Sequence, residues 1–261
     1  MPRTEIEGIE VRYERAGEGP ALALLHGFTH DSRVWRPQLQ ALSARFDVIA
    51  WDAPGAGRSG DPPEAFTIQD WARCLAALLD FNAVHKAHVL GLSWGGLLAQ
   101  EFYRHYPGRV LSLLLAGTYA GWKGSLPPPL PQERLAACLQ DASLPPSDFV
   151  TKYLPAMFGD SPPQQALDQL RAIMSDFHPL GFSLMAKSLA ISDTRGLLPT
   201  IQVPTLLIWG DTDRRSPLAV AHQFFDAIPT AILSIIPGAG HISNLERPTE
   251  SNLAVADFCH Q

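Results

Sequence analysis

Six short apolar runs, each closed by turn residues, alternate with helical patterns along most of the chain, and this alternation limits the possible folds more than any other feature. The runs are apolar at consecutive positions, which is typical of strands buried on both faces of a parallel sheet. Strands that alternate with helices predict an α/β fold, a mostly parallel central sheet with helices on both faces. The runs are ALALLHG (21–27), FDVIAWD (46–52), AHVLGLS (87–93), VLSLLLAG (110–117), VPTLLIWG (203–210) and AILSIIPG (231–238).

Helical spacing of apolar residues follows most of these runs, whereas the chain opens on a different pattern. The stretch EIEGIEVRYERAG (5–17) alternates apolar and polar residues, which predicts an antiparallel hairpin at the edge of the sheet. The helices predicted between and after the runs cover 35–45, 67–82, 94–106, 217–227 and 243–260.

The alternation stops between 119 and 198, where proline doublets separate short helical patterns. The stretches SLPPPLP, LPPSD and DSPPQQ contain prolines, which end helices and stiffen the connections between them. We therefore expect a helical lid, residues 119–198, inserted into a core made of 1–118 and 199–261. The helices predicted in the lid cover 132–140, 147–158, 164–174 and 179–191.

Composition and charge argue against two classes of macromolecular partner. Of the 261 residues, 46% are hydrophobic and 18% are charged, as in an ordinary globular protein. The net charge is −6, and no run of like charges is present. Because nucleic acids and anionic membranes attract basic surfaces, we expect neither as a partner. No stretch approaches the ~18 uninterrupted apolar residues of a membrane span.

The first residues and the cysteines indicate where the protein works. The opening MPRTEIEGIEVRYERAG is charged every few residues and has no apolar core of the kind that a secretory signal needs. Cys74, Cys138 and Cys259 are odd in number and widely spaced, which argues against a disulfide framework or a zinc site. We interpret all three as packing residues and expect a cytoplasmic protein.

Ser93 lies in the pentapeptide GLSWG, which fits the pattern G-x-S-x-G. Given the abundance of glycine and serine, about one chain in ten of this length matches the pattern by chance. Its context is more specific, because a predicted strand ends before Ser93 and a predicted helix begins after it. A sharp strand-to-helix turn would expose the hydroxyl beside a helix N-terminus, where developing negative charge is stabilised. The alternative is that Ser93 only caps the helix.

A serine nucleophile needs a base, and the base needs an acid that orients it. His241 follows the last apolar run in a glycine-rich loop, at the end of a strand where open α/β sheets bind their ligands. Asp211 and Asp213 both follow the run before it, so either could be the acid. The order serine, aspartate, histidine is the order of one serine-hydrolase architecture and not of the others.

Five stretches together resemble the α/β-hydrolase fold superfamily in order and separation. They are LLHGFTHDSRVW, DAPGAGRS, GLSWGG, WGDTDRRSP and PGAGH. Within the superfamily the chain is most similar to the capped group that includes 3-oxoadipate enol-lactonases, aryl esterases and haloperoxidase-like enzymes.

The resemblance implies a role for each residue of the predicted catalytic site. Ser93 is implied as nucleophile, His241 as general base and then acid, and Asp213 as the acid of the triad. Asp211 is the alternative acid, or it braces the loop. The backbone N–H groups of Phe28 and Trp94 are implied as the oxyanion hole. For the loop around Asp52 the resemblance implies bracing, and His26 is expected to pack beneath the oxyanion loop.

Large apolar residues of the predicted lid are candidates for the lining of a substrate pocket. Four short exposed helices do not need so many, so we expect some of them to pack on the core and others to line a cavity beneath the lid. The candidates are Tyr119, Trp122, Tyr153, Met157, Phe158, Phe177 and Phe182.

The resemblance implies a serine hydrolase that cleaves a small to medium carboxylic ester or lactone through an acyl-enzyme. No metal or organic cofactor is implied, the partner is the small-molecule substrate, and the protein is expected to be a monomer or homodimer. One alternative is a C–C bond hydrolase or lyase that uses the same triad on an acidic substrate. In that case Arg33, otherwise a solvated side chain, could hold a carboxylate. The other alternative is a ligand receptor on a hydrolase scaffold.

Overall fold

In residues 1–260, the part of the chain that the computed structural model describes, eight strands form one sheet. The strands are β1 (Arg3–Ile6), β2 (Ile9–Ala16), β3 (Ala21–Leu25), β4 (Asp47–Trp51), β5 (Ala87–Leu92), β6 (Val110–Ala116), β7 (Thr205–Gly210) and β8 (Ala231–Ile236). They lie in the order β1-β2-β4-β3-β5-β6-β7-β8.

The sheet confirms the predicted α/β class. β1 and β2 form the expected antiparallel edge hairpin, β2 is antiparallel to β4, and every pair from β4 to β8 is parallel. All residues of β3, β4 and β7 are buried, which explains why those runs are apolar at consecutive positions. The chain leaves β3 toward β4 on one side and returns to β5 on the other. Ligands of open α/β sheets bind at such a reversal, beyond the carboxyl ends of the strands.

Helices cover the sheet at the places that apolar spacing predicts, with shifted ends. They are α1 (Arg36–Leu42), α2 (Ile68–Phe81), α3 (Trp94–His105), α4 (Trp122–Ser125), α5 (Leu130–Asp141), α6 (Pro146–Tyr153), α7 (Gln164–Ser175), α8 (Pro179–Ile191), α9 (Leu218–Ala227), α10 (Ser243–Glu246) and α11 (Pro248–Cys259). Short 3₁₀ helices cover Ser32–Trp35, Pro107–Arg109, Leu154–Met157 and Leu198–Thr200.

Two predicted helices are each divided in the structure, and proline explains both divisions. The pattern over 243–260 predicts one helix, but α10 ends before Pro248 and α11 begins at it. The pattern over 147–158 likewise contains α6 followed by the 3₁₀ helix that includes Pro155. Proline donates no backbone hydrogen bond and fits the first turn of a helix better than its interior.

Helices α4 to α8 occupy the segment between β6 and β7. The four predicted helices of this segment are present with small shifts, and the single turn α4 was not expected. The two ends of the helical segment meet, since the backbone N–H of Thr194 donates to the carbonyl oxygen of Ala120 at 3.1 Å. Near its far end, the Ser188 hydroxyl accepts a hydrogen bond from the indole N–H of Trp94 at 2.9 Å. The segment therefore packs directly on the start of α3.

Within residues 1–260, no helix has the length and hydropathy required to cross a membrane.

Candidate active site

Ser93 occupies the turn between β5 and α3 and has backbone angles of φ 56° and ψ −116°. A positive φ is uncommon for a residue with a side chain and costs on the order of 1–3 kcal/mol. The backbone holds this conformation partly through the Ser93 N–H, which donates to the carbonyl oxygen of Ala116 at 2.8 Å. Within residues 1–260 the side chain makes no capping hydrogen bond, so the structure does not support the interpretation of Ser93 as a helix cap.

The two glycines that flank Ser93 leave room for the backbone to cross closely at this turn. A β-carbon on Gly95 would overlap the carbonyl oxygen of Leu25 and lie 2.7 Å from that of His26. A β-carbon on Gly91 would overlap the carbonyl group of Gly95. Backbone cannot yield as a flexible side chain can, so α3 packs against the end of β3 only because these positions carry no side chain.

Replacing Gly95 with alanine is therefore expected to destabilise the fold by about 3 kcal/mol or more, because overpacking against backbone is among the costlier core changes. Gly108→Ala is the matched control, since a β-carbon there would meet nothing within 4 Å. Urea unfolding monitored by circular dichroism measures the free energy of unfolding of both variants. A Gly95→Ala protein as stable as Gly108→Ala would contradict this account of the turn.

His241 and Asp213 form a buried pair at the ends of β8 and β7. Nδ1 of His241 donates to Oδ2 of Asp213 at 2.9 Å, since a carboxylate can only accept. The other oxygen of Asp213 accepts from the backbone N–H groups of Arg215 and Ser216 at 2.7 and 2.8 Å. Three donors thus fix the orientation of this carboxylate, and Nε2 of His241 is the ring nitrogen left for chemistry.

The second aspartate of the loop does not face the histidine. Asp211 is exposed, and its Oδ1 accepts from the backbone N–H of Gly238 at 2.7 Å. This bond ties the loop after β7 to the loop after β8. Asp213 therefore has the geometry of the acid that orients the histidine, whereas Asp211 has the geometry of a residue that braces the loop.

Ser93, Asp213 and His241 lie at the same edge of the sheet because β5, β7 and β8 are parallel and end there. The intervening strand β6 ends at Ala116, and Gly117 follows it. A β-carbon on Gly117 would lie 3.1 Å from Nδ1 of His241 and 3.2 Å from Oδ2 of Asp213. The carbonyl of the preceding residue, Ala116, is the acceptor of the Ser93 N–H. The structure therefore gathers the three residues around the end of β6.

The two backbone groups predicted to bind an oxyanion flank the serine. Phe28 follows β3, which is paired with β5 up to the Leu25–Gly91 position. Trp94 is the first residue of α3, a position whose N–H has no acceptor within the helix. In the described part of the chain, the N–H of Phe28 likewise has no acceptor within hydrogen-bond distance.

His26 braces this loop from beneath, as expected. It is fully buried, and Nε2 accepts from the backbone N–H of Ala53 at 3.0 Å while Nδ1 lies 2.7 Å from the carbonyl oxygen of Gly27. These contacts require a neutral ring protonated on Nδ1, and burial lowers the pKa of His26 accordingly. Asp52 braces the same region by accepting from the backbone N–H groups of Ser32 and Arg58 at 2.7 and 3.0 Å.

Aromatic rings from the helical segment pack on the oxyanion loop. The ring of Phe28 stacks on Phe182 at 5.1 Å between centroids and meets the edge of Trp122 at 6.3 Å. Phe182 in turn contacts Tyr153 at 5.7 Å and Phe177 at 5.8 Å. The structure thus brings together four of the seven residues predicted to line a pocket, beside the loop that carries Phe28.

The remaining three predicted lining residues lie around the same site. Tyr119 follows β6, and its hydroxyl donates to the carbonyl oxygen of Arg215. Met157 accepts the backbone N–H of Ile242 at 3.2 Å, and the backbone of Phe158 lies against Gly240. Met157 and Phe158 therefore contact the loop that presents His241.

Arg33 is neither a free carboxylate-binding group nor a solvated side chain. Its guanidinium lies 2.6 Å from Asp31 and 2.8 Å from Asp176. These two carboxylates raise the pKa of Arg33 and neutralise its charge. The arginine that the sequence offered for an acidic substrate is thus already paired.

Comparison with known proteins places this geometry in a family. The model of the protein family described as "Alpha/beta hydrolase family" matches residues 22–252. The chain belongs to the alpha/beta hydrolase family. A curated relative, 3-oxoadipate enol-lactonase 2 of Acinetobacter baylyi, is 26% identical over 95% of this chain and 92% of its own.

Two solved hydrolase structures superpose along nearly the whole chain. A thermophilic esterase from Thermogutta terrifontis has a TM-score of 0.90 and 28% identity, and the match covers 99% of this chain and 96% of the esterase. The enol-lactonase from Burkholderia xenovorans has a TM-score of 0.90 and 25% identity, with full coverage of both chains. The predicted superfamily and the enol-lactonase and esterase group within it are confirmed.

Two side chains of this hydrolase face the site without having been singled out from the sequence. Arg215 lies with its guanidinium 5.8 Å from the centre of the Phe28 ring and 5.7 Å from that of Tyr153. His30 is buried, and neither ring nitrogen has a hydrogen-bond partner in residues 1–260. Burial, together with the charges of His241, His26 and Arg215, holds the pKa of His30 well below its usual value. The sequence signal for Arg215 is its position two residues after Asp213 in the WGDTDRRSP stretch.

Proposed function

We propose that this alpha/beta hydrolase cleaves a small to medium carboxylic ester or lactone through an acyl-enzyme on Ser93. The observation that carries the proposal is the buried 2.9 Å bond between His241 and Asp213 at the sheet edge where the strained turn presents Ser93. A bound aspartate keeps the histidine in the tautomer whose Nε2 can accept a proton. Perturbed backbone geometry at the serine is typical of a nucleophile elbow.

The reaction proceeds in two halves. The hydroxyl of Ser93 attacks the carbonyl carbon while Nε2 of His241 takes its proton, and the histidine then protonates the departing alkoxide. Water, deprotonated by His241, releases the acid from Ser93 in the second half. The N–H groups of Phe28 and Trp94 stabilise the negative oxygen of each tetrahedral intermediate, and such a donor is typically worth ~3–4 kcal/mol. All groups that these steps require are supplied by the chain and by water.

Residues 119–198 act in this proposal as a lid over the acyl site. Phe182 and Trp122 reach the ring of Phe28, so the lid helps to form the wall against which the substrate lies. The names of the relatives support the bond type, since one solved structure is called an esterase and another an enol-lactonase. Three free cysteines support a reducing compartment, the cytoplasm, as the place of action.

A panel of 4-nitrophenyl esters and simple lactones, combined with a fluorophosphonate probe, tests the proposal. We expect turnover of at least one ester or lactone and one covalent adduct per chain, mapped to Ser93 by peptide mass spectrometry. An adduct on another residue would refute the nucleophile assignment. A chain that neither turned over the panel nor reacted with the probe would instead favour a receptor role. Turnover of vinylogous ring-cleavage acids in the absence of any ester activity would favour C–C bond hydrolysis.

A further inference from the structure

A cleft of about 320 Å³ lies next to the proposed acyl site, between the helical segment and the loop after β7. Its lining includes Trp122 and Tyr153, the aromatic residues that flank Phe28 and Phe182, and it also includes Arg215. Arg215 is two residues from Asp213, and its backbone N–H donates to that carboxylate. Through Arg215 the cleft therefore borders the loop that carries Asp213.

Four basic side chains line this cleft, and two of them have no acidic partner in the part of the chain that the structure describes. Lys152 lies 2.6 Å from Asp141, and Arg214 is paired with Asp160. In contrast, no carboxylate of the described residues lies within the 4.0 Å of an ion pair from Arg134 or Arg215. Asp141, the one acidic residue in the lining, also accepts from the hydroxyl of Tyr153 at 2.8 Å.

Each of the two guanidinium groups that have no carboxylate partner in residues 1–260 lies over aromatic rings. Arg215 lies over Phe28 and Tyr153, whereas Arg134 lies over Tyr119 and Trp122 at 5.7 and 5.8 Å. The hydroxyl of Tyr119 connects the guanidinium of Arg134 to the backbone of Arg215, because it accepts from Arg134 at 3.2 Å and donates to the carbonyl oxygen of Arg215. Such stacking orients a guanidinium while its N–H donors stay available for a planar anion.

We propose that the ester or lactone substrate of this hydrolase carries a carboxylate, bound by Arg215 with Arg134 as the second cation. The inference rests on the proposed function and names the substrate class of that same site. Two half-buried arginines without a carboxylate partner in the described residues repel each other. An anion bound between them reduces that repulsion and accepts hydrogen bonds from their N–H groups. Because the Arg215 guanidinium lies 5.8 Å from the centre of the Phe28 ring, a carboxylate bound to it would place the rest of the substrate beside the oxyanion loop that carries Phe28.

Matched pairs of esters that differ only in one negative charge test the proposal. One pair is 4-nitrophenyl hydrogen glutarate and its methyl ester, with the charge on the acyl side. The other is 4-acetoxybenzoate and its methyl ester, with the charge on the alcohol side. In at least one pair, we expect kcat/KM for the charged ester to exceed that for the neutral one by about 10- to 100-fold, the usual effect of a hydrogen bond to a charged group.

Variants assign that preference to particular residues. Arg215→Gln is expected to remove most of the charged-to-neutral ratio, Arg134→Gln to reduce it by less, and Arg215→Lys to keep part of it. Arg195→Gln, which changes an exposed arginine paired with Asp193, is the control and should leave the ratio unchanged. Circular dichroism confirms that each variant is folded.

Two readouts separate this proposal from the proposed function. Hydrolysis of the neutral esters and its loss in Ser93→Ala report on the function, whereas the charged-to-neutral ratio reports on the substrate class. If no ester is turned over, calorimetric titration of the protein with glutarate still decides the question, since binding should weaken in Arg215→Gln. Ratios near one in both pairs, or a ratio or glutarate affinity that Arg215→Gln leaves unchanged, would overturn the proposal.

Discussion

Ser93→Ala is expected to lower kcat for the best ester substrate by ~10⁴-fold or more, because only the oxyanion hole and substrate binding remain. The loss should be one of chemistry and not of folding. Alanine also has a β-carbon, so the cost of the positive φ stays the same, and no capping hydrogen bond is lost with the hydroxyl. The free energy of unfolding should therefore change little.

Initial rates and urea unfolding of the same preparations measure both parts of this expectation. Ser147→Ala, which removes an exposed hydroxyl from the helical segment, serves as the control and should behave as the parent protein. A Ser93→Ala protein that kept full turnover would show that the strained turn serves another purpose.

The second large effect is expected at the aspartate that orients the histidine. Asp213→Asn should lower kcat by ~10³–10⁴-fold, as in other triads where the acid becomes an amide. The structure gives the reason. Two backbone N–H groups donate to Oδ1 of Asp213, so the amide oxygen takes that position and the amide NH₂ faces His241. Nδ1 must then accept a hydrogen bond, which places the ring proton on Nε2 and leaves no base for Ser93.

Asp211→Asn is the matched comparison, two residues away in the same loop. Its side chain needs only an acceptor for the N–H of Gly238, and an amide oxygen provides one. We therefore expect less than about a threefold change in kcat, in keeping with the small effect of most exposed substitutions. Parallel measurement of kcat for the two variants distinguishes the candidates, and a larger loss from Asp211→Asn would reverse the assignment.

The sheet could be predicted from the sequence because its signal is local. Buried parallel strands are apolar at every position, so β3, β4 and β7 are visible as runs, and strand order then brings their carboxyl ends together. The helix predicted over 67–82 is also close to the observed one, since Thr67 and Asn82 are its caps and Thr67 forms a capping box with Asp70.

Charge pairing could be predicted only in part, because it also depends on neighbours that are distant in the chain. Arg33 is neutralised in part by Asp176, which lies just beyond α7 in the helical segment. Within residues 1–260, Arg215 has no carboxylate partner, although it lies in a loop with two aspartates. The sequence makes Arg33 a candidate for binding an acidic group, whereas our proposal assigns that role to Arg215. The choice between Asp211 and Asp213 also required the geometry of the His241 contact.

The meeting of Ala120 and Thr194 has an evolutionary consequence. A segment whose two ends lie next to each other can be exchanged as one unit, because joining a new segment at those ends costs little additional loop-closure entropy. Recombination at these two points would transplant a foreign set of helices onto an unchanged catalytic frame. Arg134 would leave with the old segment, whereas Arg215 belongs to the frame. Descendants of such an exchange would therefore inherit half of the proposed anion site and would start with a bias toward acidic substrates.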